Sequence, residues 1–187
     1  MIKKIQASTG EKVLLIFLIL LAIISFLFYF TIKNKCLFVE KIDLQKINFP
    51  NTENIVVMNV ECGLVIIELL PNLSPNSVER FKFFISNGYY DGSAFYRVIK
   101  NTLIQAGDLE YGNIENIDYY RVGSGKSNLG LINSEINNEF EFKEGSIGLV
   151  RSDAFNTEDC EFFILLKDVP LFKGEYTPIG KVIYGLD

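Results

Sequence analysis

From Val13 to Ile32 the chain is nearly unbroken hydrocarbon: 18 of these 20 residues are apolar, with Ser25 and Thr31 as the polar side chains. A helix rises 1.5 Å per residue, so the stretch reaches about 30 Å, the thickness of a bilayer's hydrocarbon layer. This predicts a transmembrane helix over 13–32 behind a short tail, 1–12. Residues 33–54 mix short alternation with charge, end near Pro50-Asn51, and read as a linker with at most one short strand. At Ile55 the texture changes. Ile55 to Val60 and Gly63 to Leu69 are β-branched runs separated by Glu61-Cys62, the pattern of a hairpin.

Ser74-Pro75 then predicts a helix start. The serine can accept orphan backbone N–H groups, and proline at the first helical position loses no hydrogen bond. Asn76 with Glu79 offers a competing capping box. Val78, Phe81, Phe84 and Ile85 share one helical face, and Asn87-Gly88 ends it. Further strand-like runs follow over 94–99, 102–107, 146–150, 161–166 and 177–182. Between them, 109–144 is rich in Asn, Gly and Ser and reads as a long excursion. Many short strands with one clear soluble helix predict a mostly-β barrel or sandwich whose loops carry function.

Composition and charge narrow the reading. The chain has no histidine, which removes a serine-histidine triad, a histidine general base and histidine metal ligands together. Five lysines against one glutamate give the first 35 residues a charge of +4, so the remainder carries −9 of the total −5. A domain that acidic suits no nucleic-acid backbone. Cys36, Cys62 and Cys160 are odd in number and lack C-x-x-C spacing, which signals neither a zinc site nor a redox pair; one bridge and three unpaired thiols are both compatible.

The apolar stretch is longer than a cleaved signal's, which usually runs roughly 7–15 residues, and it has no small-residue cleavage site. An uncleaved anchor is therefore expected. Lys3, Lys4 and Lys12 on one side face Lys33, Lys35, Lys41 and Lys46 on the other, so the positive-inside count does not settle orientation. A 12-residue tail ahead of a first hydrophobic helix has the usual layout of a signal-anchor with its tail inside. The expectation is a single-pass protein of the cytoplasmic (inner) membrane with its domain on the extracytoplasmic side.

Five ordered motifs then carry a resemblance. Phe95-Tyr-Arg97-Val-Ile-Lys-Asn-Thr-Leu103-Ile-Gln105-Ala-Gly107-Asp108 resembles the F-x-R-x-I-x-x-x-(M/L)-x-Q-x-G-D signature of the cyclophilin family of peptidyl-prolyl cis-trans isomerases. Gly145 to Arg151 with Asn156 to Ile164 is similar to the family's G-x-(I/L)-x-M-A-R … N-S-x-x-S-Q-F-F-I. Gly174-Glu-Tyr176-Thr-Pro-Ile-Gly180-Lys-Val182 is similar to its G-x-Y-T-x-F-G-K-V. The helix opening at Ser74-Pro75 and the Gly88-Tyr-Tyr-Asp-Gly92 turn agree as well, so the likeness spans 55–187. It implies a cyclophilin-like eight-stranded barrel that lacks its last helix and strand here, preceded by the transmembrane helix. The first strand, 55–60, is then expected to be open unless residues 37–49 or another chain cover it.

The resemblance also implies a mechanism that needs no cofactor and no metal. Rotation about an X-Pro bond is slow because amide resonance must be broken, at a barrier of about 18–20 kcal/mol. In the twisted transition state the prolyl nitrogen regains its lone pair, so a donor aimed there binds that state better than either planar one. Arginine suits the task because it stays protonated and its planar fork can be held rigidly. By resemblance Arg97 is catalytic, Gln105 orients it, Leu103 and Phe163 wall the proline pocket, and Phe95, Glu161, Leu171, Phe172 and Tyr176 contribute to binding substrate.

Period-2 alternation puts Arg97 and Ile99 on one face, with Leu103 and Gln105 on the next strand and Glu161 and Phe163 on a third. The sequence departs from the family at Thr102 and Ile179, each in place of a Phe, at Val150 in place of Ala, at Leu171 in place of an aromatic, and at Glu161 in place of Gln. A carboxylate at 161 is expected to be able to pair directly with Arg97. The function expected is isomerisation of X-Pro bonds in folding proteins, with proline-containing polypeptides as clients and the bilayer contacted through 13–32. The alternative is a catalytically weak or inactive prolyl-peptide-binding module or membrane-anchored chaperone.

Overall fold

The computed structural model describes residues 8–33, 36, 44, 47–49 and 52–186. Residues 1–7 of the expected tail and most of the expected linker, with any strand in it, lie outside them. Two units are distinguished, Met1–Lys41 with Glu61–Gly63, and Ile42–Val60 with Leu64–Asp187.

The first unit holds α1, Thr9–Lys33, which buries none of its side chains. It begins four residues before the apolar run. Ser8 and Glu11 explain the extension: the Glu11 N–H donates to the Ser8 hydroxyl at 3.3 Å and the Ser8 N–H to the Glu11 carboxylate at 2.7 Å, a reciprocal capping box. The same unit contains a disulfide between Cys36 and Cys62, which resolves the cysteine alternatives left open by spacing. Cys160 stays a free, buried thiol, and burial pushes its pKa up to about 12.

The second unit is a curled antiparallel sheet of seven strands with one packed helix. In chain order these are β1 (Ile55–Val60), β2 (Gly63–Leu69), α2 (Pro75–Ser86), β3 (Arg97–Ile99), β4 (Leu103–Ala106), β5 (Ser146–Leu149), β6 (Phe162–Leu165) and β7 (Pro178–Tyr184). The spatial order β1-β2-β7-β5-β6-β4-β3 leaves β1 and β3 as the edges. Beside β1, the described residues Ile47, Asn48 and Phe49 line a groove together with Ile55, Glu68, Ile183 and Tyr184.

Alternation along β6 divides the interior. Phe162 and Ile164 point into the larger core, where Val78 and Phe81 of α2 meet Val65, Ile67, Leu69, Ile147, Leu149 and Ile179. Phe163 and Leu165 point to the opposite face, into a second cluster with Leu103 and Phe142. The α2 stripe does what its 3.6-residue spacing predicts, and the Phe81 ring meets Phe162 edge-on at 5.2 Å.

The start of α2 differs from expectation. Ser74 precedes the helix, but its hydroxyl donates to the Pro178 carbonyl and makes no cap. The orphan donors go instead to Glu135, which accepts from the Asn76 N–H at 3.2 Å and the Ser77 N–H at 2.7 Å. A carboxylate satisfies two donors and complements the positive end of the helix, so it replaces the local serine.

Buried acids order the excursion over 109–144. Asp108 accepts N–H bonds from Glu110, Tyr111, Gly123 and Gly125. Gly125 has to be glycine, because a Cβ there would collide with the Asp108 carboxylate. Glu158 accepts from Ser134, Thr157 and Thr177, and Asp159 from Ser127. Backbone donors with no ladder to join are thus satisfied by side chains.

Candidate active site

The β3–β4 hairpin pairs Arg97 with Gln105 and Ile99 with Leu103, and β4 pairs Gln105 with Phe163 and Leu103 with Leu165. Because residues opposite one another in a sheet share a face, Arg97, Gln105, Leu103 and Phe163 come together on the face away from α2. Arg97 is exposed, at the sheet's edge, and its Nη1 donates to Gln105 Oε1 at 3.2 Å. Gln105 is buried.

The direct pair between Glu161 and Arg97 does not form. Tyr96 comes between: Gln105 Nε2 donates to the Tyr96 hydroxyl, which donates to Glu161 Oε1 at 2.9 Å. The phenol engages the carboxylate before the guanidinium can. Glu161 is only 5% exposed. Burial pushes its carboxyl above the ordinary range, the Tyr96 hydrogen bond opposes this, and the Asp108 charge adds to it. Burial and the neighbouring Glu161 charge push the Tyr96 phenol well up, so it stays protonated at neutral pH.

An aromatic wall adjoins this polar row. The Phe163 ring lies 5.3 Å from Phe172 and 5.2 Å from Tyr176, and Phe172 lies 4.5 Å from Tyr176. Phe172 is held by a single 3-10 turn, Pro170–Phe172, and is half-buried, as is Tyr176. Arg151 braces the rim. Its guanidinium lies over the rings of Phe155 and Tyr176 at 4.4 and 5.1 Å and donates to the Glu175 carbonyl and carboxylate.

Two expected site residues sit elsewhere. Phe95 packs against the larger core with α2, because regular alternation begins only at Arg97 and does not govern the residue two before it. Leu171 is 86% exposed and projects away from the cluster that its neighbour Phe172 joins.

The sequence reading missed four contributors. Phe142 is fully buried behind the wall, 6.0 Å from Phe163 and 6.1 Å from Phe172. Its signal was the alternation Glu139-Phe140-Glu141-Phe142. Gly148 makes room for the wall, since a Cβ there would stand 2.5 Å from the Phe163 ring and 3.1 Å from Phe142. Arg151 closes the Gly145–Arg151 motif, and Tyr96 carries no signal of its own.

A curled antiparallel sheet with a helix on one face, and on the other a fixed arginine beside an apolar wall, is the cyclophilin class of structure. The comparisons agree. The family described as cyclophilin type peptidyl-prolyl cis-trans isomerase/CLD matches residues 55–187. A Brucella suis protein named "Probable peptidyl-prolyl cis-trans isomerase" is 37% identical over 145 residues, 77% of this chain and 74% of that protein. A peptidyl-prolyl cis-trans isomerase of Arabidopsis thaliana is 30% identical over 71% of this chain and 78% of its own length.

Among solved structures, a cyclophilin type peptidyl-prolyl cis-trans isomerase of Cryptosporidium parvum, crystallised in the presence of the dipeptide Ala-Pro, superposes with a TM-score of 0.61. It is 26% identical, over 70% of this chain and 79% of that one. The chain belongs to the cyclophilin family of peptidyl-prolyl cis-trans isomerases, and its class of activity is that of an isomerase.

Proposed function

We propose that the chain is a membrane-tethered prolyl isomerase acting outside the cytoplasm on proline-containing polypeptides, with Arg97 as the catalytic residue. The observation that carries this is the Arg97 guanidinium, open to solvent and fixed by buried Gln105 beside the wall of Phe163, Phe172 and Tyr176. The prolyl ring rests on the wall, and the guanidinium donates to the prolyl nitrogen as amide conjugation is lost. The nitrogen accepts well only when twisted, so this interaction favours the transition state over both planar isomers.

Two features support the tether and its side. Helix α1 has 25 residues, enough for about 37 Å, and exposes apolar side chains all round. A disulfide persists where the surroundings are oxidising, which fits Cys36 and Cys62 on the extracytoplasmic side. Residues 1–12 then form the inner tail, 33–54 the linker and 55–187 the working domain.

The test is proline-peptide isomerisation by the full chain in detergent micelles. Arg97→Ala is expected to lose roughly 100-fold or more in kcat/KM, the scale of removing one transition-state donor, with unchanged circular dichroism. Unchanged turnover would remove Arg97 from its role. A second reading, a prolyl-peptide-binding module with little turnover, draws on the exposed aliphatic Leu171 where the family carries an aromatic. Peptide binding by the wild-type chain without isomerisation would decide for it.

A further inference from the structure

The hydrogen bonds at the site run in one direction, and donor chemistry imposes it. A guanidinium has donors and no acceptor, so the Gln105 atom facing Arg97 has to be the amide oxygen. The amide nitrogen then faces Tyr96, whose oxygen accepts. The single phenolic proton is left for Glu161 Oε1, which accepts in turn. The row begins at an exposed cation and ends at a buried carboxylate, and its members come from β3, β4 and the residues just before β3 and β6.

We propose that Tyr96 and Glu161 are positioning residues for Arg97: Glu161 holds the Tyr96 proton, Tyr96 fixes the Gln105 amide with its oxygen toward the guanidinium, and protonation of Glu161 releases that arrangement. The catalytic consequence rests on the isomerase reading above; the geometric one does not.

A carboxylate can only accept, which keeps the row in its order. A protonated Glu161 gains an O–H that can donate to the Tyr96 oxygen, in competition with Gln105 Nε2. The phenolic proton is then free to turn toward Gln105, and the amide rotates to accept it. Its NH2 then faces the guanidinium, two donors oppose each other, and Arg97 loses its support.

The charged and titratable groups facing Glu161 are Tyr90 after α2, Tyr96 ahead of β3, Asp108 after β4, Lys126 in the excursion, and Asp159 and Cys160 in its own segment. Burial and the two acids favour the neutral form; Lys126 and the Tyr96 bond oppose them. The folded pKa therefore lies above the ordinary carboxylate value. Support for Arg97 is complete above it and is lost as pH falls through it.

The experiment compares wild type, Glu161→Gln, Glu161→Leu and Tyr96→Phe as full chains in detergent micelles, each checked by circular dichroism. Glu161→Gln offers the Tyr96 oxygen a donor as the protonated acid does, so its turnover should fall at neutral pH to the level wild type reaches in acid, and the acid limb of the pH profile should be lost. Glu161→Leu and Tyr96→Phe should fall about tenfold to a hundredfold in kcat, the scale of a misplaced catalytic group, with KM little changed.

A readout free of turnover accompanies these. The NMR signals of the Gln105 side-chain amide and the Arg97 Nε–H should shift with pH in wild type and stay fixed in Glu161→Gln. An acid limb that survives Glu161→Gln, full kcat in Tyr96→Phe, or wild-type resonances that do not move would overturn the relay. If the wild-type chain binds but does not isomerise, the functional reading fails while the resonances still decide the relay.

Discussion

The two faces of the sheet are built by different means. The face under α2 is assembled from residues that advertise themselves: the apolar stripe of a helix and the alternate positions of β2, β5 and β6. The opposite face draws Phe142 from the excursion, Phe172 from a single turn and Phe163 from a strand, residues spread over 31 positions. Continuous periodic burial gives a core that stabilises the fold. Aromatic rings brought together from separate segments, with Phe172 and Tyr176 half-exposed, leave a surface that can still bind something. The difference is one of completion: the first cluster has its helical partner in the chain, whereas the second borders solvent.

The comparison breaks most visibly at Phe81. Phe81→Ala removes a fully packed ring from the α2 face and should cost roughly 3–5 kcal/mol of stability in urea denaturation, with kcat/KM per folded molecule within about twofold of wild type. Lost turnover in the folded fraction would mean that the two faces are coupled.

Phe172→Ala should reverse the pattern. Its ring is half-exposed, so the stability loss should be smaller, about 1–3 kcal/mol. Peptide affinity should fall about tenfold or more, equivalent to at least roughly 1.4 kcal/mol, measured by titration with a proline peptide. Equal affinity in the variant would place the prolyl site elsewhere.

Glu135 sharpens the comparison, because it comes from the excursion yet serves α2. Burial would raise its carboxyl pKa, but the Ser77 hydroxyl and the Ser77 and Asn76 donors together pull it below the usual value. Its contribution is present at neutral pH, above the unfolded pKa, and is lost as pH falls through the depressed folded one. Glu135→Gln should therefore cost about 1 kcal/mol near neutrality, the scale of a helix cap, and the gap from wild type should narrow in acid. A gap constant down to the acid transition would show that the charge is not what caps α2.

Much of the fold is legible in the sequence. Every strand expected from 55 onward formed within a few residues of its reading, and α2 runs from the proline that announced it. Arg97, Gln105, Leu103 and Phe163 share a face because period-2 alternation fixes side-chain direction once the strand is known. The relay was not legible. Tyr96 carries no signal in the sequence, and Glu161 is expected there to pair directly with Arg97, since distance between side chains of separate segments is not a property of either segment.

What the sequence determined by itself were the features that depend on near neighbours in the chain: an apolar run long enough to span a bilayer, the hairpin, the stripe of α2, and the motifs of an isomerase family. What only the tertiary structure decided were the pairings across distance. Glu135 displaces Ser74 as the cap, acids 108, 158 and 159 hold a segment without ladders, Cys36 joins Cys62, and Tyr96 stands between Gln105 and Glu161. The reason is physical. Periodicity is set by local backbone geometry, whereas a buried donor or acid takes whichever partner the folded chain brings within about 3 Å, and that is decided by the topology of the whole sheet.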